Sequence, residues 1–131
     1  MQRLQRRVRL TDCHLDRAGS RLRAQVRLEE GGEPVTGAAE RPDGPDADLW
    51  CAAEATVAAL RQIVDLGTAG LALKDVVTLE ISDGPGVAVA LQADLNGGRR
   101  RLFGLTQAEA DRARSAAKAV LSATNRFFGS C

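Results

Sequence analysis

An α+β fold assembled from two βββα repeats is what this sequence predicts, and three observations carry it. Strand-like alternation followed by one long alanine-rich segment occurs twice, at about residues 7–66 and again at about 71–129. The two alanine-rich segments overlay, with Ala52-Ala53-Glu54-Ala55-Thr56-Val57-Ala58-Ala59 on Ala116-Ala117-Lys118-Ala119-Val120-Leu121-Ser122-Ala123 sharing the first, second, fourth and eighth residues. Glycines recur ahead of each, Gly31-Gly32 and Gly37 being echoed by Gly97-Gly98 and Gly104. Three strands and a helix, twice over, predict an antiparallel sheet with both helices packed on one face, in a single domain spanning residues 1–131.

The first strand starts with the alternation Arg7-Val8-Arg9-Leu10, and Arg17-Ala18-Gly19-Ser20 supplies turn chemistry after it. Leu22, Ala24, Val26 and Leu28 then alternate with arginine and glutamine, the mark of a half-buried antiparallel strand. Gly31-Gly32-Glu33-Pro34 turns the chain into a third strand near 35–38, and Arg41-Pro42-Asp43-Gly44-Pro45 breaks regular structure. Helix one is expected from an Asp46 N-cap to about Leu66, with Gly67 past its end. Its buried stripe is Leu49, Ala53, Thr56, Val57, Leu60, Ile63 and Val64. Gly67-Thr68-Ala69-Gly70 joins the repeats.

In the second repeat Val77, Leu79 and Ile81 alternate with Thr78, Glu80 and Ser82, and Asp83-Gly84-Pro85-Gly86 signals a hairpin turn. The returning strand puts Val87, Val89, Leu91, Ala93 and Leu95 on one side and Ala88, Ala90 and Gln92 on the other. That other side is less polar than its counterpart in repeat one, which makes it a candidate contact surface. Asn96-Gly97-Gly98 turns into a strand at 101–105, and Thr106-Gln107-Ala108-Glu109 reads as a capping box opening helix two. The stripe of that helix is Ala113, Ala117, Val120, Leu121, Thr124 and Phe127, and Gly129 ends it.

Composition sets the class. With 131 residues, 44% hydrophobic and 27% charged, the chain can bury one core, and its apolar runs fall far short of a membrane span. Met1 to Arg7 is basic with no apolar stretch behind it, so no secretory signal is expected and the location is read as cytoplasmic. Cys13, Cys51 and Cys131 form no Cys-x-x-Cys pair and read as reduced thiols. The net charge of +1 hides a sorting of charges: residues 1–27 carry eight arginines against two acids, and residues 28–54 carry eight acids against one arginine. Opposite blocks can attract each other or a second copy of the chain, a better account than a nucleic-acid surface.

No residue set declares a reaction. Cys13 and His14 are strand neighbours and point to opposite faces, which leaves His14 with Cys51 as the remaining nucleophile and base combination. One histidine and three scattered cysteines give no metal-ligand spacing. Neither a phosphate loop nor a dinucleotide fingerprint is present, so no cofactor is expected. Without tyrosine, and with Trp50, Phe103, Phe127 and Phe128 as the only aromatics, stacking platforms for single-stranded RNA are few. Arg99-Arg100-Arg101 reads as a solvated hairpin end. Asp43, Asp46 and Asp48 offset the positive end of helix one. What remains are the turns before the helices, where Gly44, Asp46, Gly104 and Thr106 are the candidate ligand-binding residues for a small anion.

Pro42-Asp43-Gly44-Pro45-Asp46-Ala47 before helix one, and Ser115 to Arg126 closing the chain, complete a pattern that resembles the C-terminal regulatory domain of 2-isopropylmalate synthases and citramalate synthases. The resemblance implies a dimerising, non-enzymatic module that binds an end-product amino acid such as leucine and inhibits a separate catalytic barrel. No barrel precedes the domain, so a stand-alone regulatory or accessory unit is expected, with a protein partner or a small carboxylate as effector. The family's Gly-x-Gly-Pro loop survives as Asp43-Gly44-Pro45 with Pro42 at the first glycine, and repeat two keeps Gly104 without the full glycine pair. Two alternatives stay open: a small enzyme using Cys51 or the acidic loop 43–48, and a nucleic-acid accessory protein using the arginine-rich N-terminal hairpin.

Overall fold

The computed structural model describes residues 8–63, 70–82, 84–95 and 97–128. Strands β1 (Val8–Ala18), β2 (Arg21–Glu30) and β3 (Glu33–Pro42) lead into α1 (Ala47–Leu60). Strands β4 (Ala72–Ile81), β5 (Gly84–Leu95) and β6 (Gly98–Gln107) lead into α2 (Arg112–Phe128). The α+β class and the doubled βββα order are those of the sequence pattern. The strands, however, divide into two three-stranded antiparallel meanders, β1-β2-β3 and β4-β5-β6, instead of joining in one sheet. Each first strand carries a bulge, and a bulged edge is poorly suited to extending a neighbouring sheet.

The duplication extends to register. The bulge in β1 falls between the pairs Leu10 with Leu28 and Asp12 with Arg27. The bulge in β4 falls between Leu73 with Leu91 and Asp75 with Ala90, the same place in the repeat. Gly37 lies opposite Val26 and Gly104 opposite Val89, each on the inner face. A Cβ at Gly37 would collide with the Ala55 carbonyl oxygen and the Ala59 amide nitrogen, and one at Gly104 with the Ala119 carbonyl oxygen. The overlaid alanines are therefore the surface on which each glycine lets helix backbone meet strand backbone.

Most described positions of both helices are buried, as the alanine content allows, leaving one partly exposed stripe on each, Trp50, Glu54 and Ala58 on α1 and Arg114, Lys118 and Ser122 on α2. Helix α1 packs on β2 and β3, on α2 and on β4, while α2 packs on β5 and β6, on α1 and on β1. Leu22, Ala24, Val26 and Leu28 from β2 and Val87, Val89, Leu91 and Ala93 from β5 fill one continuous core. Each fully buried valine or leucine there contributes roughly 1.5–3 kcal/mol. Thr56 and Thr124, buried on the helices, donate their hydroxyls to the carbonyls of Ala52 at 2.7 Å and Val120 at 3.2 Å, so neither is left unpaired.

The repeats clasp each other crosswise. At the end of α2, Asn125 accepts the Val8 amide at 3.1 Å and donates to the Val8 carbonyl at 3.0 Å. At the matching place after α1, the Arg61 Nε donates to the Leu71 carbonyl, just ahead of β4, at 2.8 Å. Each helix thus holds the start of the other repeat's first strand.

Helix α2 begins at Arg112, not in the Thr106 capping box. Thr106 and Gln107 remain in β6, paired with Val87 and Gly86. The cap is Asp111, whose Oδ1 accepts the Arg114 amide at 3.2 Å. Val64, Leu66 and the 67–69 part of the joint, Asp83, Asn96, Gly129 and Cys131, together with the side chains of Leu95, Phe127 and Phe128, lie outside the described residues.

Candidate functional site

A roomy cleft with charged walls opens where β6 runs into α2. Beyond Gln107 the chain is pinned by two bonds: Ala108 donates its amide to the Pro85 carbonyl at 2.9 Å, and Glu109 donates its amide to the Ser115 Oγ at 2.8 Å. This leaves a cleft of about 490 Å³ between the β4–β5 hairpin and the segment before α2. Leu79, Pro85, Gly86, Val87 and Ala108 give it an apolar lining, and Thr78, Glu80, Glu109 and Arg112 supply polar groups.

Arg112 is the hinge of the site. Its Nη2 donates to Asp46 Oδ1 at 2.7 Å and its Nε to Asp48 Oδ2 at 3.2 Å, joining the two helix N-termini. These carboxylates, Asp46 foremost, hold the guanidinium pKa above its ordinary value. In the helix overlay Arg112 falls on Asp48 itself, so two equivalent positions of the repeats carry opposite charges and meet. Glu109 donates no proton to its neighbour: it accepts from Lys118 Nζ at 2.6 Å, and that hydrogen bond lowers its pKa.

Of the candidate residues, Asp46 is brought to the cleft's edge by Arg112. It precedes α1 with φ 59° and makes no side-chain cap, its carboxylate being taken by the guanidinium. Gly44 is exposed, donates its amide to Asp43 Oδ1 at 2.9 Å and has open space around it. Thr106, half-buried in β6, lies across from Val87 of the cleft. Gly104 stands apart, inside the sheet under Ala119 and Ala123, and works in packing.

The remaining chemistry is dispersed. Cys51 is fully buried on the inner side of the first sheet, its Sγ 3.2 Å from the Ala39 carbonyl and 3.4 Å from that of Leu22, and burial raises its pKa. A cavity of about 90 Å³ is lined by Cys51 itself together with Ala39, Glu40, Arg41 and Glu54. His14 is on the outer face of the same sheet, where its Nε2 lies 3.1 Å from Asp16 Oδ1, so strand backbone separates it from Cys51. Burial, aided by Asp111, pushes the Cys13 thiol up to about 11. No group of three or more metal-ligating side chains occurs among the described residues. In the acidic loop Asp43 pairs with Arg17, and Arg9 with Glu29 and Arg21 with Glu40 join the two charge blocks within the first sheet. No helix among the described residues is long and apolar enough to cross a membrane.

Fold and cleft together describe an internally duplicated α+β domain with a polar cleft built around a guanidinium. No known protein family matches the sequence, and no curated protein does. Sequence reading missed Arg112 and the cleft acids, although one signal was present: opposite charges at equivalent positions of a duplicated chain, Asp48 and Arg112.

Proposed function

We propose that this chain is a non-enzymatic regulatory or accessory domain, acting as a cytoplasmic homodimer, that senses a small zwitterionic carboxylate such as an amino acid. The observation that carries the reading is the cleft beside Arg112. Arg112, held through Nε and Nη2 by Asp48 and Asp46, would offer its Nη1 to a carboxylate, Glu80 suits an ammonium group, and Leu79, Pro85 and Val87 suit an apolar side chain. The resemblance to amino-acid-sensing regulatory domains points the same way. Cys51, with no exposed surface and a raised pKa, favours a structural role over a nucleophilic one.

A thermal-shift series with the amino acids and the matching 2-oxo acids tests it. One or more apolar amino acids should raise the melting temperature, because a ligand that binds only the folded state stabilises it. The 2-oxo acid lacks the ammonium group and should bind more weakly. Arg112→Gln should weaken binding at least about tenfold, the loss of one charge-assisted contact. No shift with any amino acid at about a hundred times a micromolar Kd would sink the reading, since about 2.7 kcal/mol of stabilisation is expected there.

A further inference from the structure

The outer face of the second sheet carries Val77 and Leu79 on β4 and Phe103 and Leu105 on β6, which are 43%, 37%, 61% and 45% exposed. Ala88 and Ala90 of β5 lie between these ridges, in register with Leu105 and Phe103. The fold does not demand this apolarity, because the same register of the first sheet holds His14, Asp16, Thr36 and Ala38, with Gln25 and Arg27 between them. We infer that this face is the homodimer interface, with a second copy of the chain packed sheet to sheet about a two-fold axis parallel to β5. The inference deepens the dimerising part of the proposed function; the face shares Leu79 with the cleft but needs no ligand there.

Two observations select a second copy. Exposed Asp75 lies on the β4 edge, in the row of Ala90 and Phe103, and exposed Arg101 lies on the β6 edge one row further along. A two-fold axis along β5 lays β4 of one copy over β6 of the other, bringing each Asp75 beside the other copy's Arg101 and Val77 against Leu105. The face is therefore self-complementary in charge as well as apolar. Its size also fits. Strands of 10, 12 and 10 residues make the face. At about 4.8 Å between strands and about 3.3 Å per residue they cover roughly 500 Å², so a pair buries roughly 1,000 Å², the lower end for a specific interface.

The test is light-scattering mass and sedimentation of the full chain across micromolar to submillimolar concentration, with circular dichroism confirming that each variant is folded. The wild type should be a dimer. Phe103→Glu should weaken dimerisation by about 100-fold, as expected for losing a central aromatic anchor. Asp75→Arg and Arg101→Asp should each weaken it, and the double reversal should recover most of the loss. A monomeric wild type overturns the inference, and so does a dimer that Phe103→Glu leaves intact. Titrating the same variants with amino acids separates the two readings: a monomer that still binds its ligand removes only the interface, and an intact dimer that binds none removes only the sensor.

Discussion

Where the first sheet turns His14, Gln25 and Ala38 to the outside, the second turns Val77, Ala88 and Leu105. On the inside the pattern reverses: Val26 faces Gly37 as Val89 faces Gly104, and both glycines lie under paired helix alanines. Duplication kept what the helices touch and let the exteriors diverge, because interior positions are fixed by volume while surface positions are free of that constraint. The two repeats are thus internal controls for each other. A feature present in both belongs to folding, and a feature of one alone is a candidate for function.

The largest effect should come from the shared interior. Gly37→Ala and Gly104→Ala each drive a methyl into helix backbone that cannot move aside, so each should cost about 3 kcal/mol or more, read by urea denaturation. A marked inequality between the two would break the equivalence of the repeats. The crosswise contacts come next. Asn125→Ala removes two hydrogen bonds and strands the buried Val8 backbone, for about 2 kcal/mol, whereas Arg61→Ala removes one and should cost about 1 kcal/mol. Equal losses would mean that the clasps are matched more closely than their bond counts.

The thiols sharpen the comparison by pH. Cys13 is held protonated to about pH 11 in the fold against 9.0 ordinarily. A raised folded pKa means stability that is fully present below pH 9 and declines as pH rises toward 11. Melting temperature should fall across that window, and Cys13→Ala should flatten the fall. In a Cys131→Ser background, thiol labelling at pH 8 should be slow, since only about a thousandth of Cys13 is thiolate there. The smallest effect on stability should come from the exterior. Giving the second sheet its counterpart's residues through Val77→His, Leu79→Asp, Phe103→Thr and Leu105→Ala should shift unfolding of the monomer by no more than about 1 kcal/mol while abolishing the proposed dimer. A variant that unfolds would show that these side chains serve the fold.

Much of the fold was legible because alternation and alanine content report burial directly, as in β2 and in both helices. The division into two sheets was not, since pairing between segments depends on bulges at Thr11 and Lys74 that leave no periodic mark. Thr106 to Glu109 misled because a capping box stabilises a helix start only when no strand partner competes, and Val87 and Gly86 compete here. The site was less legible still. Asp46 was found from its place before a helix, but the cleft arises where a hairpin tip meets a distant helix start, and no local spacing encodes that meeting.

The Val8 and Asn125 bonds span 117 residues of chain. A ribosome adding about 5–20 residues per second makes the strand's first residue roughly 6–23 s before its partner, which then waits for the exit tunnel to release it. For that interval β1 has no C-terminal helix to dock on. The β1 clasp therefore closes only once α2 has emerged, and any helper that guards the nascent chain would be needed longest at the β1–β2 hairpin.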